Sequence, residues 1–243
     1  MIDTHAHLDM LDEPAEAVAR ARDAGVTRIL TIGTQDAVDL AAAHDGVYAV
    51  VGIHPHAAAE WAGEEHDLDE LRALHVQPKV VAVGEIGLDH FRDYAPHDAQ
   101  QRLFAAQLEL ARELRRPVVI HTRAADAPTL AELERFDGTV VLHCFSSPHL
   151  LPAALERRWY VSFAGNVTYK NATDLRLAAS QVPADRILAE TDCPYLAPQP
   201  VRGKTNEPAY VVHTLETLAH VRGEDPAQLG AQIDANASAC FDL

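Results

Sequence analysis

The chain alternates short runs of β-branched and apolar residues with longer stretches in which apolar positions recur every three or four residues. It opens on Met1-Ile2-Asp3-Thr4-His5-Ala6-His7, a short apolar-led strand. Asp12-Glu13-Pro14 reads as a helix start and Gly25 as its stop. Val26 to Gly33 is short and β-branched, hence a second strand. Ala37 to His44 is helical, and Val47 to Ile53 is a third strand running into His54-Pro55-His56. An acidic helical stretch near Asp67 to Leu74 precedes a fourth strand that runs from Val80 to Glu85. Asp98 to Leu114 carries the clearest helical period, with Phe104, Leu108 and Ala111 recurring along it, and Pro117 blocks its extension. The fifth to eighth strands read as Pro117 to His121, Thr139 to His143, Tyr160 to Phe163 and Arg186 to Asp192. A loop holding Pro and Gly, Pro194 to Pro208, then leads to two helices, with Pro208 and Pro226 near their first turns.

Eight strands with intervening helices, and no low-complexity linker, predict an α/β fold in one domain over residues 1–243, a TIM (β/α)8 barrel. The rival on this pattern is a doubly wound open sheet, and eight strands in one undivided domain favour closure. A chain of 243 residues is long enough for one large core. The 48% apolar content is that of a globular protein, and no run of ~18 apolar residues suggests a membrane span. The first residues lack a basic stretch followed by an apolar segment, so no signal peptide and a cytoplasmic location are expected. Cys144, Cys193 and Cys240 are odd in number and lack CxxC spacing, which suits a reducing compartment and small buried side chains.

Charge narrows the function. Twenty Lys and Arg against 36 Asp and Glu leave a formal −16, the wrong sign for a protein that grips nucleic acid by a broad basic surface. A general nucleic-acid-binding module is therefore disfavoured. A nuclease is not, because bound cations and a few local basic residues attract a phosphate despite the global field. The sequence holds no aromatic-rich basic stripe of the kind that stacks a long single strand, which fits short contacts to a chain end.

The candidate chemistry lies at the ends of the apolar runs. His5 and His7 are two residues apart, which on a strand puts both imidazoles on one face. Glu85, His121, His143 and Asp192 each end a separate run. In a barrel those ends converge on one mouth, where active sites of this fold lie. Four imidazoles and two carboxylates suffice for two divalent cations if one carboxylate bridges, and two cations ~3.5–4 Å apart form a clamp for hydrolysis. Imidazole-rich ligation suits Zn, Ni, Mn or Fe, while Mg prefers oxygen ligands yet could serve in turnover.

Seven motifs in order carry a resemblance to a family. They are Asp3-Thr4-His5-Ala6-His7-Leu8-Asp9, Gly52-Ile53-His54-Pro55-His56, Gly84-Glu85-Ile86-Gly87-Leu88-Asp89 and Ile120-His121-Thr122-Arg123, followed by Leu142-His143-Cys144-Phe145-Ser146, Glu190-Thr191-Asp192-Cys193-Pro194-Tyr195-Leu196-Ala197-Pro198 and Arg202-Gly203-Lys204-Thr205-Asn206-Glu207-Pro208. On these the chain resembles, over nearly its whole length, the TatD-family metal-dependent deoxyribonucleases of the amidohydrolase superfamily. The resemblance implies that His5, His7 and Asp192 hold one metal, that His121 and His143 hold the other, and that Glu85 bridges them. It makes Asp192 the base that takes the proton from the attacking water, with Glu85 also in the catalytic set, and His54 and His56 substrate-pocket residues. Glu190, two residues before Asp192, could orient that network. Arg123, Arg202 and Lys204 lie just beyond strand ends, where an anionic substrate would approach. Two stretches depart from the family pattern, Asn236-Ala237-Ser238-Ala239-Cys240-Phe241 and Ala164-Gly165-Asn166-Val167, where Asn166 could alter the pocket floor.

The function implied is 3′→5′ exonucleolytic hydrolysis of DNA or RNA ends by water activated between two divalent cations (Zn, Mn, Ni or Mg), in a monomer or small homo-oligomer. Two other readings stand beside it. One is the same site acting on a carbonyl substrate such as an amide, a lactone or an aminoacyl ester. The other is a non-catalytic scaffold stabilised by metal, against which the presence of Asp192 speaks.

Overall fold

Nearly continuous apolar runs predict strands buried on both faces, the signature of a parallel sheet covered by helices. The computed structural model, which describes residues 1–61, 63, 68–92 and 94–243, has that arrangement. The strands are β1 (Ile2–Ala6), β2 (Arg28–Gly33), β3 (Val47–Val51), β4 (Val80–Asp89), β5 (Val118–Arg123), β6 (Val140–Leu142), β7 (Tyr160–Phe163) and β8 (Ile187–Ala189), hydrogen-bonded in chain order and parallel throughout. Around them lie α1 (Pro14–Asp23), α2 (Gln35–Ala43), α3 (Asp69–His75), α4 (His97–Leu114), α5 (Asp126–Leu133), α6 (Leu151–Glu156), α7 (Thr173–Gln181), α8 (Val211–Arg222) and α9 (Pro226–Phe241). Each longer helix turns its apolar stripe inward, as α4 does with Leu103, Phe104, Leu108 and Ala111. No helix among the described residues is long and apolar enough to cross a membrane.

The barrel closes where β1 meets the segment after β8. Thr4 donates its hydroxyl to the Ala189 carbonyl at 3.1 Å. Further along, the Asp192 N–H reaches the His5 carbonyl and the His7 N–H reaches the Cys193 carbonyl, both at 2.9 Å. Asp3 clasps the seam: its carboxylate accepts from the Thr191 N–H at 2.9 Å and from the Thr191 hydroxyl at 2.6 Å. Asp3 is fully buried, and burial pushes its carboxyl up to about 8 against those hydrogen bonds.

Element boundaries differ from the sequence reading at all five site strands: β1 stops at Ala6, one residue before His7, and β5 runs two residues past His121, to Arg123. β8 stops at Ala189 and does not reach Asp192, which adopts a left-handed backbone, φ +56°, that no regular strand contains. β6 stops at Leu142, so His143 stands in the turn just past it. β4 runs four residues beyond Glu85, to Asp89, after its register on β5 shifts between Gly84 and Ile86. Of the acidic helical stretch, α3 begins at Asp69, and Asp67 lies outside the described residues.

The extension of β4 depends on Gly87. It sits at φ +141°, and a Cβ there would lie 2.0 Å from the His121 carbonyl oxygen. Gly87→Ala combines backbone strain with a clash against main chain, so it is expected to cost on the order of 3 kcal/mol. Urea unfolding of the metal-free protein measures this, and an unshifted midpoint would show that β4 and β5 can separate without cost.

Candidate metal centre

Five strands and the turns after them deliver one cluster. From β1 comes His5, fully buried, and from the position just past it His7; from within β4, Glu85; from within β5, His121; from the turns after β6 and β8, His143 and Asp192. Glu85 is at the centre. Its Oε1 lies 2.6 Å from His121 Nδ1, 2.8 Å from His143 Nε2 and 3.5 Å from His54 Nε2, while Oε2 lies 3.4 Å from His5 Nε2 and 3.8 Å from His7 Nε2. Asp192 Oδ1 completes the ring at 3.5 Å from His7 Nε2 and 3.8 Å from His5 Nε2. All six residues that the sequence singled out as ligands are thus brought together.

The electrostatics follow from one buried carboxylate among imidazoles. Burial alone would raise Glu85, but the His143 and His54 rings and the hydrogen bonds from His121 and His143 outweigh it and hold Glu85 well below the usual carboxylate range. Burial works to lower His143, and Glu85 and Glu190 overcome it and lift the ring well above its ordinary value. His7 and His121 are raised too, against their burial, by Asp192 and Glu85 in the first case and by Asp89 and Glu85 in the second.

His5 is the exception. Burial, reinforced by the charge of His143 stacked 3.9 Å away, drives it down to about 4. Neither ring nitrogen has a hydrogen-bond partner among the described residues. A wholly buried imidazole kept neutral, with an unpartnered lone pair facing two carboxylates, is costly unless a cation takes it. This is the feature by which the residues fit a metal ion. Three sets of ligand atoms lie close enough to hold one: His5 with His143 and Asp192, His5 with His7 and Glu85, and His54 with Glu85 and His121.

Behind the cluster stand two further carboxylates. Glu190 is buried, and its Oε1 accepts from the Cys144 N–H at 2.6 Å and sits 3.2 Å from His143 Nδ1, so it aims the other nitrogen of that ring at Glu85. Asp89 was quoted in a sequence motif without a role. Its Oδ2 lies 3.1 Å from His121 Nε2 and 2.9 Å from His56 Nε2, and its Oδ1 accepts from the Phe91 and Arg92 N–H groups at 3.0 and 2.8 Å. The even spacing of Glu85, Gly87 and Asp89 on one strand was the available signal.

The residues expected at the substrate lie at the mouth. His54 Nδ1 accepts from the His56 N–H at 3.1 Å, which in the neutral ring leaves the proton on Nε2, toward Glu85. His54 therefore faces the cluster as a donor, even though its position would admit a ligand. His56 is 32% exposed and held by Asp89, so it is neither a free loop residue nor a buried one. Arg123, Arg202 and Lys204 are exposed, and no carboxylate pairs with them among the described residues. Arg123 lies over the Phe91 ring and Arg202 over the Tyr169 ring, each at 4.0 Å. Asn166 lines a cleft of about 310 Å³ with Ser146, Tyr169 and Asn171, none of which belongs to the histidine cluster.

A parallel eight-stranded barrel with a carboxylate-centred histidine cluster at its C-terminal mouth is the architecture of a metal-dependent hydrolase. Residues 2–242 match the model of the TatD related DNase family, and the chain belongs to that family. A metal-dependent hydrolase of Bacillus subtilis, YabD, whose function is uncharacterized, is 35% identical over all of this chain and 99% of its own length. The 3′-5′ ssDNA/RNA exonuclease TatD of Citrobacter rodentium is 40% identical over 94% of this chain and 91% of its own length. Among solved structures, the TatD homolog YjjV of Escherichia coli K12 superposes with a TM-score of 0.92 at 30% identity, covering 100% of this chain and 98% of that one.

Proposed function

We propose that the protein is a 3′→5′ exonuclease that removes nucleotides from single-stranded DNA or RNA ends, using two divalent cations. The observation that carries the proposal is the single cluster of His5, His7, Glu85, His121, His143 and Asp192 at an open barrel mouth. The relatives at about 40% identity that are named as ssDNA/RNA exonucleases support the substrate class.

In this reading His5, His7 and Asp192 hold one cation, His121 and His143 hold the other, and Glu85 lies between. Bound there, the cations would acidify a water and neutralise charge that develops on the phosphoryl oxygens. Asp192 is 14% exposed, which gives it access to an attacking water, and its Oδ1 takes that water's proton. Glu190 and Asp89 keep His143 and His121 in the tautomers that point Nε2 and Nδ1, respectively, at Glu85. His54 donates its Nε2 proton toward a phosphate oxygen. Arg123, Arg202 and Lys204 meet the incoming phosphates, with Arg suited to paired contacts.

Single-stranded oligonucleotides labelled at either end test this, alongside ester and amide panels. A 5′ label is expected to survive in a ladder of shortening products, and a 3′ label to leave in the first released nucleotide. Chelation is expected to stop cleavage, and Mn, Zn, Ni or Mg added singly to restore it. Ester or amide turnover far above oligonucleotide turnover would move the assignment to carbonyl chemistry.

A further inference from the structure

Few large apolar side chains are exposed among the described residues, and four of them lie around one opening. Among the described residues six are strongly exposed, including Phe91 at 63%, Tyr94 at 61%, Tyr195 at 51% and Met10 at 50%. These four lie on loops that follow β1, β4 and β8, at the same end of the barrel as the histidine cluster. Each aromatic is tied to the site. Tyr94 meets His56 edge-on at 4.8 Å, and Tyr195 meets His7 edge-on at 6.2 Å. The Tyr195 hydroxyl donates to Met10 Sδ at 3.6 Å. Phe91 follows Asp89, which holds the Phe91 N–H, and one face of its ring is covered by the Arg123 guanidinium.

Scattered exposed apolar residues need no explanation. A set of flat aromatic faces braced by site residues and interleaved with guanidinium groups that pair with no carboxylate among the described residues does. Arg92 joins Arg123 in lacking a carboxylate partner among the described residues, and it lies 5.9 Å from the Tyr94 ring. In a chain of net charge −16, cations that no carboxylate neutralises mark the place an anion can approach.

We infer that this rim is a stacking platform for unpaired bases: Phe91 and Tyr195, on opposite loops, hold the bases of a single strand while Arg92 and Arg123 meet its phosphates and the terminal linkage descends to the cluster. Every base offers a π-face, so such a platform accepts a strand without reading its sequence. Duplex ends, whose bases are paired and stacked on one another, cannot use it. The inference rests on the proposed action on nucleic-acid ends and adds where the strand lies and why it must be single.

Binding and turnover of a fluorescein-labelled oligothymidylate, compared with hydrolysis of bis(p-nitrophenyl) phosphate, test it on the full chain. Phe91→Ala and Tyr195→Ala are each expected to raise the oligonucleotide KM, and the anisotropy Kd measured under chelation, by about tenfold more than any change on the small diester. Tyr195→Phe, which keeps the ring and loses the hydroxyl, is expected to restore the wild-type Kd. Equal Kd values for wild type and both Ala variants would overturn the platform even if the oligonucleotide is cut. An equal loss on both substrates, or failure of Tyr195→Phe to rescue, would also overturn it. If the wild type binds the oligonucleotide without cutting it and both Ala variants weaken that binding, the platform stands and the nuclease reading fails.

Discussion

Asp192→Asn is expected to lower kcat on a phosphodiester by about two to four orders of magnitude, the usual worth of a positioned general base. Asn keeps the shape of the side chain, and the backbone N–H of residue 192 still reaches the His5 carbonyl, so the seam of the barrel is retained. Among the described residues the Asp192 carboxylate approaches His7 and His5 at 3.5 and 3.8 Å, longer than a hydrogen bond that would anchor the fold. The thermal midpoint is therefore expected to move little. Bound metal, counted by atomic emission, is expected to fall by less than one equivalent. Loss of turnover with metal retained separates a catalytic base from a structural ligand. A kcat within threefold of wild type would remove Asp192 from the chemistry.

The second large effect belongs to Glu85→Gln. Here the fold and the site lose the same thing, the negative charge on which His121 and His143 converge at 2.6 and 2.8 Å. With a neutral amide in its place, the metal stoichiometry is expected to drop and turnover to fall by at least a thousandfold, because the charge that gathers the cations is gone. The metal-free protein is expected to lose stability in a pH-dependent way. His143 is raised well above its ordinary 6.5 in the folded state. Its contribution is thus fully present below pH 6.5 and is lost as the pH rises through the higher folded value. The variant forfeits the Glu85 share of that contribution and keeps the Glu190 share, so the gap between wild type and Glu85→Gln in the chelated state should be wide at pH 6 and narrow as the solution becomes alkaline. Breaking a buried ion pair from one side costs about 3–5 kcal/mol, which bounds the acid-side gap. Unfolding titrations at several pH values read it directly, and a gap that grows with pH would contradict the assigned charge on His143.

Much of the site was readable from sequence for a specific reason. Parallel barrel strands are buried on both faces, so their residues are almost all apolar, and a polar residue ending such a run stands out. That is how Glu85, His121, His143 and Asp192 declared themselves in a chain with 14 histidines. The same contrast failed for Asp89. It lies past the point where β4 was expected to end, and only the register shift at Gly84 and the room at Gly87 carry the strand that far. The aromatic rim was invisible for a different reason. Phe91-Arg92-Asp93-Tyr94 mixes aromatic and basic residues over only four positions, too short to stand out as a stripe, and closure is what sets Phe91 and Tyr94 from one loop and Tyr195 from another around a single opening.

The sequence by itself determined the strand count, six of the nine described helices and the identity of the six clustered side chains, because period, burial and residue type are local properties; α5, α6 and α7 carried no period that it read. Only the tertiary structure decided which atoms meet. It sets the direction of each ring nitrogen through Glu190, Asp89 and the His56 N–H. It turns Asp192 into place through a left-handed backbone angle. It also leaves His5 buried and unpartnered beside two carboxylates. Distances of 2.6–3.8 Å between residues far apart in the chain depend on how the barrel closes, and closure is a property of all eight strands together.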